Sequence, residues 1–197
     1  MMRELPQRKP KRLKGYDYSQ NGAYFVTVCA KNGAEIFSRI IVGDGLARPE
    51  CPDFPARPDC PDCPAYPIVE LTDIGEQIRQ IINYINQRYD NAFIDKFVIM
   101  PNHIHLILVI NGCNETGRTG QSLAPGPAGR ASPAPTVGNI IGGLKSGVSR
   151  NIGFSPWQRC FHDHIIRDES DYRRVAEYIE QNPAKWAKDR FYDRFER

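Results

Sequence analysis

Short apolar runs of strand length alternate with stretches of helical spacing along this 197-residue chain. AYFVTVCA (23–30) is rich in β-branched and aromatic residues and reads as a strand. In LTDIGEQIRQIINYINQRY, Ile74, Ile78, Ile81, Ile82 and Ile85 recur at helical spacing, and Thr72 or Asp73 can cap the first turn. AFIDKFVIM (92–100) and HIHLILVI (103–110) flank the turn residues Pro101-Asn102 and read as a hairpin. Strand side chains alternate, so Ile104, Leu106, Leu108 and Ile110 share one face, and His103, His105, Ile107 and Val109 share the other. A strand apolar on both sides is central and covered on both faces, which puts the two histidines at the rim of something buried.

VGNIIGGLKSGVSRNIG (from 137) reads as a glycine-laden helix with Lys145 and Arg150 facing outward, and FHDHIIR (161–167) as a short strand. A last helix over ESDYRRVAEYIEQNP takes Ser170 as its cap, Tyr172, Val175, Ala176 and Ile179 as its core stripe and Pro183 as its stop. The resulting order is β-α-β-β-α-β plus a helix. It predicts an α+β fold, a ferredoxin-like split β-α-β antiparallel sheet with an additional C-terminal helix. Two low-complexity stretches, 47–67 and 117–136, interrupt the pattern and read as flexible insertions into one domain spanning 1–197.

Hydrophobic content of 41% and charged content of 25% describe an ordinary globular chain. No apolar run reaches the roughly 18 residues that span a bilayer, and the N-terminus lacks the apolar core of a secretory signal. The expected location is cytoplasmic. The net charge of +3 is uneven: Arg3, Arg8, Lys9, Lys11, Arg12 and Lys14 face a single acid, Glu4, in residues 3–14. Such an arm suits either a phosphate-backbone contact or a solvated tail. Cys60 and Cys63 form one CxxC with no second pair to complete a tetrahedral thiolate site, and prolines at every third position from 49 to 67 favour an extended polyproline segment there.

His103 and His105 project from one strand face with their roots about 7 Å apart. Both rings can lean onto one cation, or they can form a hydrogen-bonded structural pair. Tyr178 lies off the core stripe of the last helix, with Asn182 one turn later. A phenol with a pKa near 10 attacks a phosphodiester usefully only where a cation polarises the phosphate. Two imidazoles and an amide oxygen leave coordination positions open for phosphate oxygens. His162 and His164 form a second His-x-His, and Gln181 rivals Asn182 on spacing alone.

MPNHIHLILVI (100–110), PWQRCFHDHIIRDESDYRRVAEYIEQNP (156–183) and GAYFVTVCAKN (22–32) together resemble the single-tyrosine HUH transposases of the insertion-sequence-200-like class, and more closely the REP-associated tyrosine transposases. The resemblance implies that His103, His105 and Asn182 bind a divalent metal, Mg2+ or Mn2+. It implies that Tyr178 is the nucleophile that forms a 5′-phosphotyrosine with single-stranded DNA. The implied partner is a hairpin of REP-like palindromic DNA, contacted by Arg8, Lys9, Lys11, Arg12, Lys14, Lys145 and Arg150, with Tyr16, Tyr18 and Trp157 available to stack on bases. On DNA the protein would sit at the nucleoid. The resemblance leaves open whether the tyrosine helix completes its own protomer's site or that of a partner in a homodimer. A hairpin-binding protein without cleavage is the alternative reading, and a small-phosphoester metallohydrolase a third.

Overall fold

A computed structural model describes residues 17, 18, 20–41, 67–111 and 135–188. The basic arm and nearly all of both low-complexity stretches lie outside the described residues. In chain order the elements are β1 (Gly22–Cys29), β2 (Ser38–Ile41), β3 (Ile68–Leu71), α1 (Asp73–Arg88), β4 (Ala92–Ile99), β5 (His103–Ile110), α2 (Val137–Ile152), β6 (His162–Ile166) and α3 (Glu169–Gln181), with a 3-10 segment at Pro183–Lys188 continuing α3. The main sheet has the order β4-β5-β1-β6 with every neighbouring pair antiparallel. This is the ferredoxin-like order that the alternation of strands and helices predicts.

The sheet is covered on both faces. Ile104, Leu106, Leu108 and Ile110 of β5 join Tyr24, Val26 and Val28 of β1 against Ile78, Ile82 and Ile85 of α1 and Ile140, Ile141 and Leu144 of α2. On the other face Ile107 meets Val175, Ala176 and Ile179 of α3. Thr72 caps α1 by accepting from Gly75 N at 3.2 Å, while its hydroxyl donates to Ile36 O at 2.6 Å. Gly75 sits where a Cβ would lie 2.0 Å from the Phe37 carbonyl oxygen, so the approach of α1 to that loop requires glycine.

One local reading is corrected and two features lie beyond the sequence pattern. β2 and β3 pair as a separate two-stranded ribbon, which the sequence pattern did not reveal. Asp168, not Ser170, caps α3, accepting from Asp171 N at 2.8 Å. β4 carries a register shift between Ile94 and Lys96, where the Asn86 amide brackets Ile94 from α1, donating to its carbonyl at 2.9 Å and accepting from its N–H at 2.7 Å.

Candidate active site

β5 starts directly after the Pro101-Asn102 turn. Its register against β1 sets His103 beside Cys29 and His105 beside Thr27, while Val98 of β4 flanks His105 on the other side. Both rings are essentially buried, His103 at 0% and His105 at 1% exposure. Burial of imidazoles requires partners for their nitrogens. His103 Nδ1 lies 2.8 Å from Asn102 Oδ1, and His105 Nδ1 lies 2.8 Å from Thr27 Oγ1. With the outer nitrogens so engaged, the two Nε2 atoms face each other at 3.0 Å.

α3 sets Tyr178 against this pair, and its 3-10 continuation sets Trp186 against it. Tyr178 Oη is 3.3 Å from His105 Nε2, with the ring centroids 5.2 Å apart. Phe25 meets the Tyr178 ring edge-on at 5.9 Å and the His105 ring at 5.2 Å, fixing the phenol from the side. Trp186 covers His103 with centroids 5.9 Å apart. Asn182, between them in the chain, is buried, whereas Gln181 is exposed and accepts from Lys185 Nζ at 2.7 Å. Tyr178 itself is 38% exposed, so its hydroxyl stands between the buried imidazoles and the solvent.

Of the remaining candidates, His164 is bound by Asp171 (Nε2–Oδ2 2.9 Å), and Arg174 holds the same carboxylate. The Arg174 hydrogen bond, helped by His164, pulls the Asp171 carboxyl down to about 2. His162 is exposed on β6 on the far side of Thr27, two strands away from His105. Lys145 does not face outward freely. Its ammonium donates to Gln158 O at 2.5 Å and Arg159 O at 3.1 Å, and burial lowers its pKa. Trp157 is a core residue rather than a base-stacking platform, with its ring 4.9 Å from Phe37 and its indole N–H donating to Lys145 O at 3.0 Å. Tyr18 is half-buried and packs at 6.1 Å against Tyr24. Arg150 is exposed on α2, which covers the sheet face opposite the histidines. Arg8, Lys9, Lys11, Arg12, Lys14 and Tyr16 lie outside the described residues. Thr27, Asn102 (read only as a turn residue) and Trp186 were missed as neighbours of the site: the first two act across strands or through a turn, and Trp186 lies beyond the proline read as a stop.

The donor set fits a divalent cation. Two ligands about 2.1 Å from an octahedral ion and at right angles to each other are about 3.0 Å apart, the Nε2–Nε2 separation found here. A tetrahedral zinc would spread the same pair to about 3.4 Å. Among the described residues no three His, Cys, Asp or Glu side chains cluster to hold a metal. The buried Asn182 amide lies one turn after Tyr178 in the chain. A partly exposed phenol here stands beside two buried imidazoles.

No family model matches the chain. A protein of Haemophilus influenzae described as uncharacterized is 31% identical over 198 residues, covering 95% of this chain and 94% of its own. Among solved structures, that of a REP-associated tyrosine transposase bound to a REP hairpin aligns with a TM-score of 0.53 at 18% identity, covering 89% of this chain and 74% of the other. The fold is therefore shared with that transposase. Among the described residues no helix is long and apolar enough to cross a membrane.

Proposed function

We propose that this chain, which belongs to one family with the Haemophilus influenzae protein, is a metal-dependent single-stranded DNA transposase that recognises hairpin DNA and cuts and rejoins it through Tyr178. The observation that carries the proposal is the approach of Tyr178 Oη to 3.3 Å from His105 Nε2, beside the buried His103. The fold shared with a hairpin-bound transposase supports it, as does the match of MPNHIHLIL and YIEQNP to the residues such chemistry needs.

His103, His105 and Asn182 would hold a Mg2+ or Mn2+ ion. Bound there, it would supply Lewis acidity at the scissile phosphate, withdrawing charge from its non-bridging oxygens. Tyr178 Oη forms a bond to phosphorus while the bond to the 3′ oxygen of the preceding nucleotide breaks. The phenol proton is lost, the leaving 3′ oxygen gains one, and the strand's 5′ phosphate ends on the tyrosine. Attack by another 3′-hydroxyl reverses the step and rejoins DNA. Phe25 and the docking of α3 hold the phenol beside His105, and Trp186 packs on the ring of His103.

Incubating the full chain with a labelled single strand carrying a hairpin should give a covalent protein–DNA adduct with Mn2+ and none with EDTA. Tyr178→Phe should abolish it. Equal adduct from the variant overturns the proposal, and specific hairpin binding with no cleavage in any divalent cation favours a binding protein instead.

A further inference from the structure

The two imidazoles have different partners, and the difference matters. Asn102 Oδ1 can only accept, so His103 carries its proton on Nδ1 and points a lone pair from Nε2. Facing it at 3.0 Å, His105 Nε2 cannot also be a lone pair in the absence of a cation, because two such pairs repel; it donates to His103, and Tyr178 Oη at 3.3 Å lies beside that N–H as a second oxygen acceptor. His105 Nδ1 is then an acceptor, and Thr27 Oγ1 at 2.8 Å is its donor. A hydroxyl, unlike an amide oxygen, both donates and accepts. Thr27 is itself buried at 2% exposure on the central strand β1, so no solvent replaces it.

We infer that Thr27 is a positioning residue whose hydroxyl holds His105 in either neutral tautomer, letting the ring change from hydrogen-bond donor toward His103 to cation ligand at constant charge. The inference rests on the cation reading of the His pair. In the exchange one proton leaves Nε2 and one arrives at Nδ1, and the Thr27 hydroxyl turns from donor to acceptor. Without it, the metal-binding tautomer would strand a buried Nδ1–H, at a desolvation cost that falls only on the cation-bound state. His103 needs no such device, since Asn102 already fixes its Nε2 as a lone pair.

The test measures tautomers and affinity directly on the full chain. Nitrogen-15 spectra should show His103 protonated on Nδ1 and His105 on Nε2 without metal, and diamagnetic Mg2+ should move the His105 proton to Nδ1. Thr27→Val, which keeps the shape and removes the hydroxyl, should weaken Mn2+ binding by about 10- to 100-fold, and Thr27→Ser should restore it. Unchanged Mn2+ affinity in Thr27→Val, a His105 tautomer that ignores Mg2+, or a wild-type chain that binds neither ion overturns the inference. The wild-type spectra need no variant and decide the matter even if Thr27→Val folds poorly. Adduct formation is scored separately: DNA adduct persisting in Tyr178→Phe removes the nuclease reading and leaves a positive tautomer result standing.

Discussion

Tyr178 Oη and His105 Nε2 are 3.3 Å apart although 73 positions separate them in the chain. One comes from the last helix and the other from a central strand, so their meeting depends on how firmly α3 docks on the sheet. That docking is apolar: Val175, Ala176 and Ile179 against Ile107, beside the partly buried Val98 and Val109.

Ile179→Ala should therefore loosen the site from outside it. Ile179 is buried, and truncating it should cost about 2 to 5 kcal/mol. Urea unfolding measures the loss. A change well under 1 kcal/mol would mean that α3 is held by something other than this contact.

Asn182 and Gln181 are neighbours in sequence and opposites in the structure, one buried and the other exposed beside Lys185. Asn182→Ala should lower Mn2+ affinity by at least about tenfold, and Gln181→Ala should leave it alone. Isothermal titration distinguishes the two, and the reverse pattern would reassign the ligand.

Asp171 predicts a defined acid response. Arg174 and then His164 hold its carboxyl at about 2, below its ordinary 3.8. A carboxyl depressed in the folded state adds stability above its unfolded pKa and loses it as pH falls through the folded value. The contribution should be complete above about pH 4 and fade toward pH 2. Asp171→Asn should flatten that part of the stability-versus-pH curve. Identical slopes between the two proteins over this range would contradict the assignment.

Lys145 separates a structural role from a DNA contact. Its ammonium ties α2 to the carbonyls of Gln158 and Arg159. Lys145→Met should lower stability by about 1 to 2 kcal/mol and leave the salt dependence of hairpin binding unchanged. A fall of about one in the salt slope would instead make it a phosphate contact.

These contrasts mark how far the sequence carries. The faces of β5 were legible because alternation over 103–110 is unbroken, and the α3 stripe because Val175, Ala176 and Ile179 keep helical phase. The ribbon of β2 and β3 was not: each strand is four residues long, they pair only with each other, and 26 residues separate them, with no local turn to signal the pairing. Lys145 and Trp157 look like outward-facing basic and aromatic groups in one dimension. Their burial is a property of the 156–160 segment folding back on α2, which periodicity does not encode. At the site, alternation puts His103 and His105 on one face and helical spacing pairs Tyr178 with Asn182, while the resemblance singles them out from Gln181 and the second His-x-His. Thr27 enters only through cross-strand register, and Trp186 only because the chain continues as a 3-10 segment past Pro183.

The account turns on one phenol acting where two imidazoles meet. The most direct measurement is mass-spectrometric mapping of the DNA-linked peptide after the full chain is incubated with a hairpin-bearing strand and Mn2+. The account predicts a nucleotide attached through its 5′ phosphate to the peptide containing Tyr178, absent with EDTA and absent in His105→Ala. Attachment at another residue, or cleavage that leaves a free 5′ phosphate and no protein linkage, would contradict it.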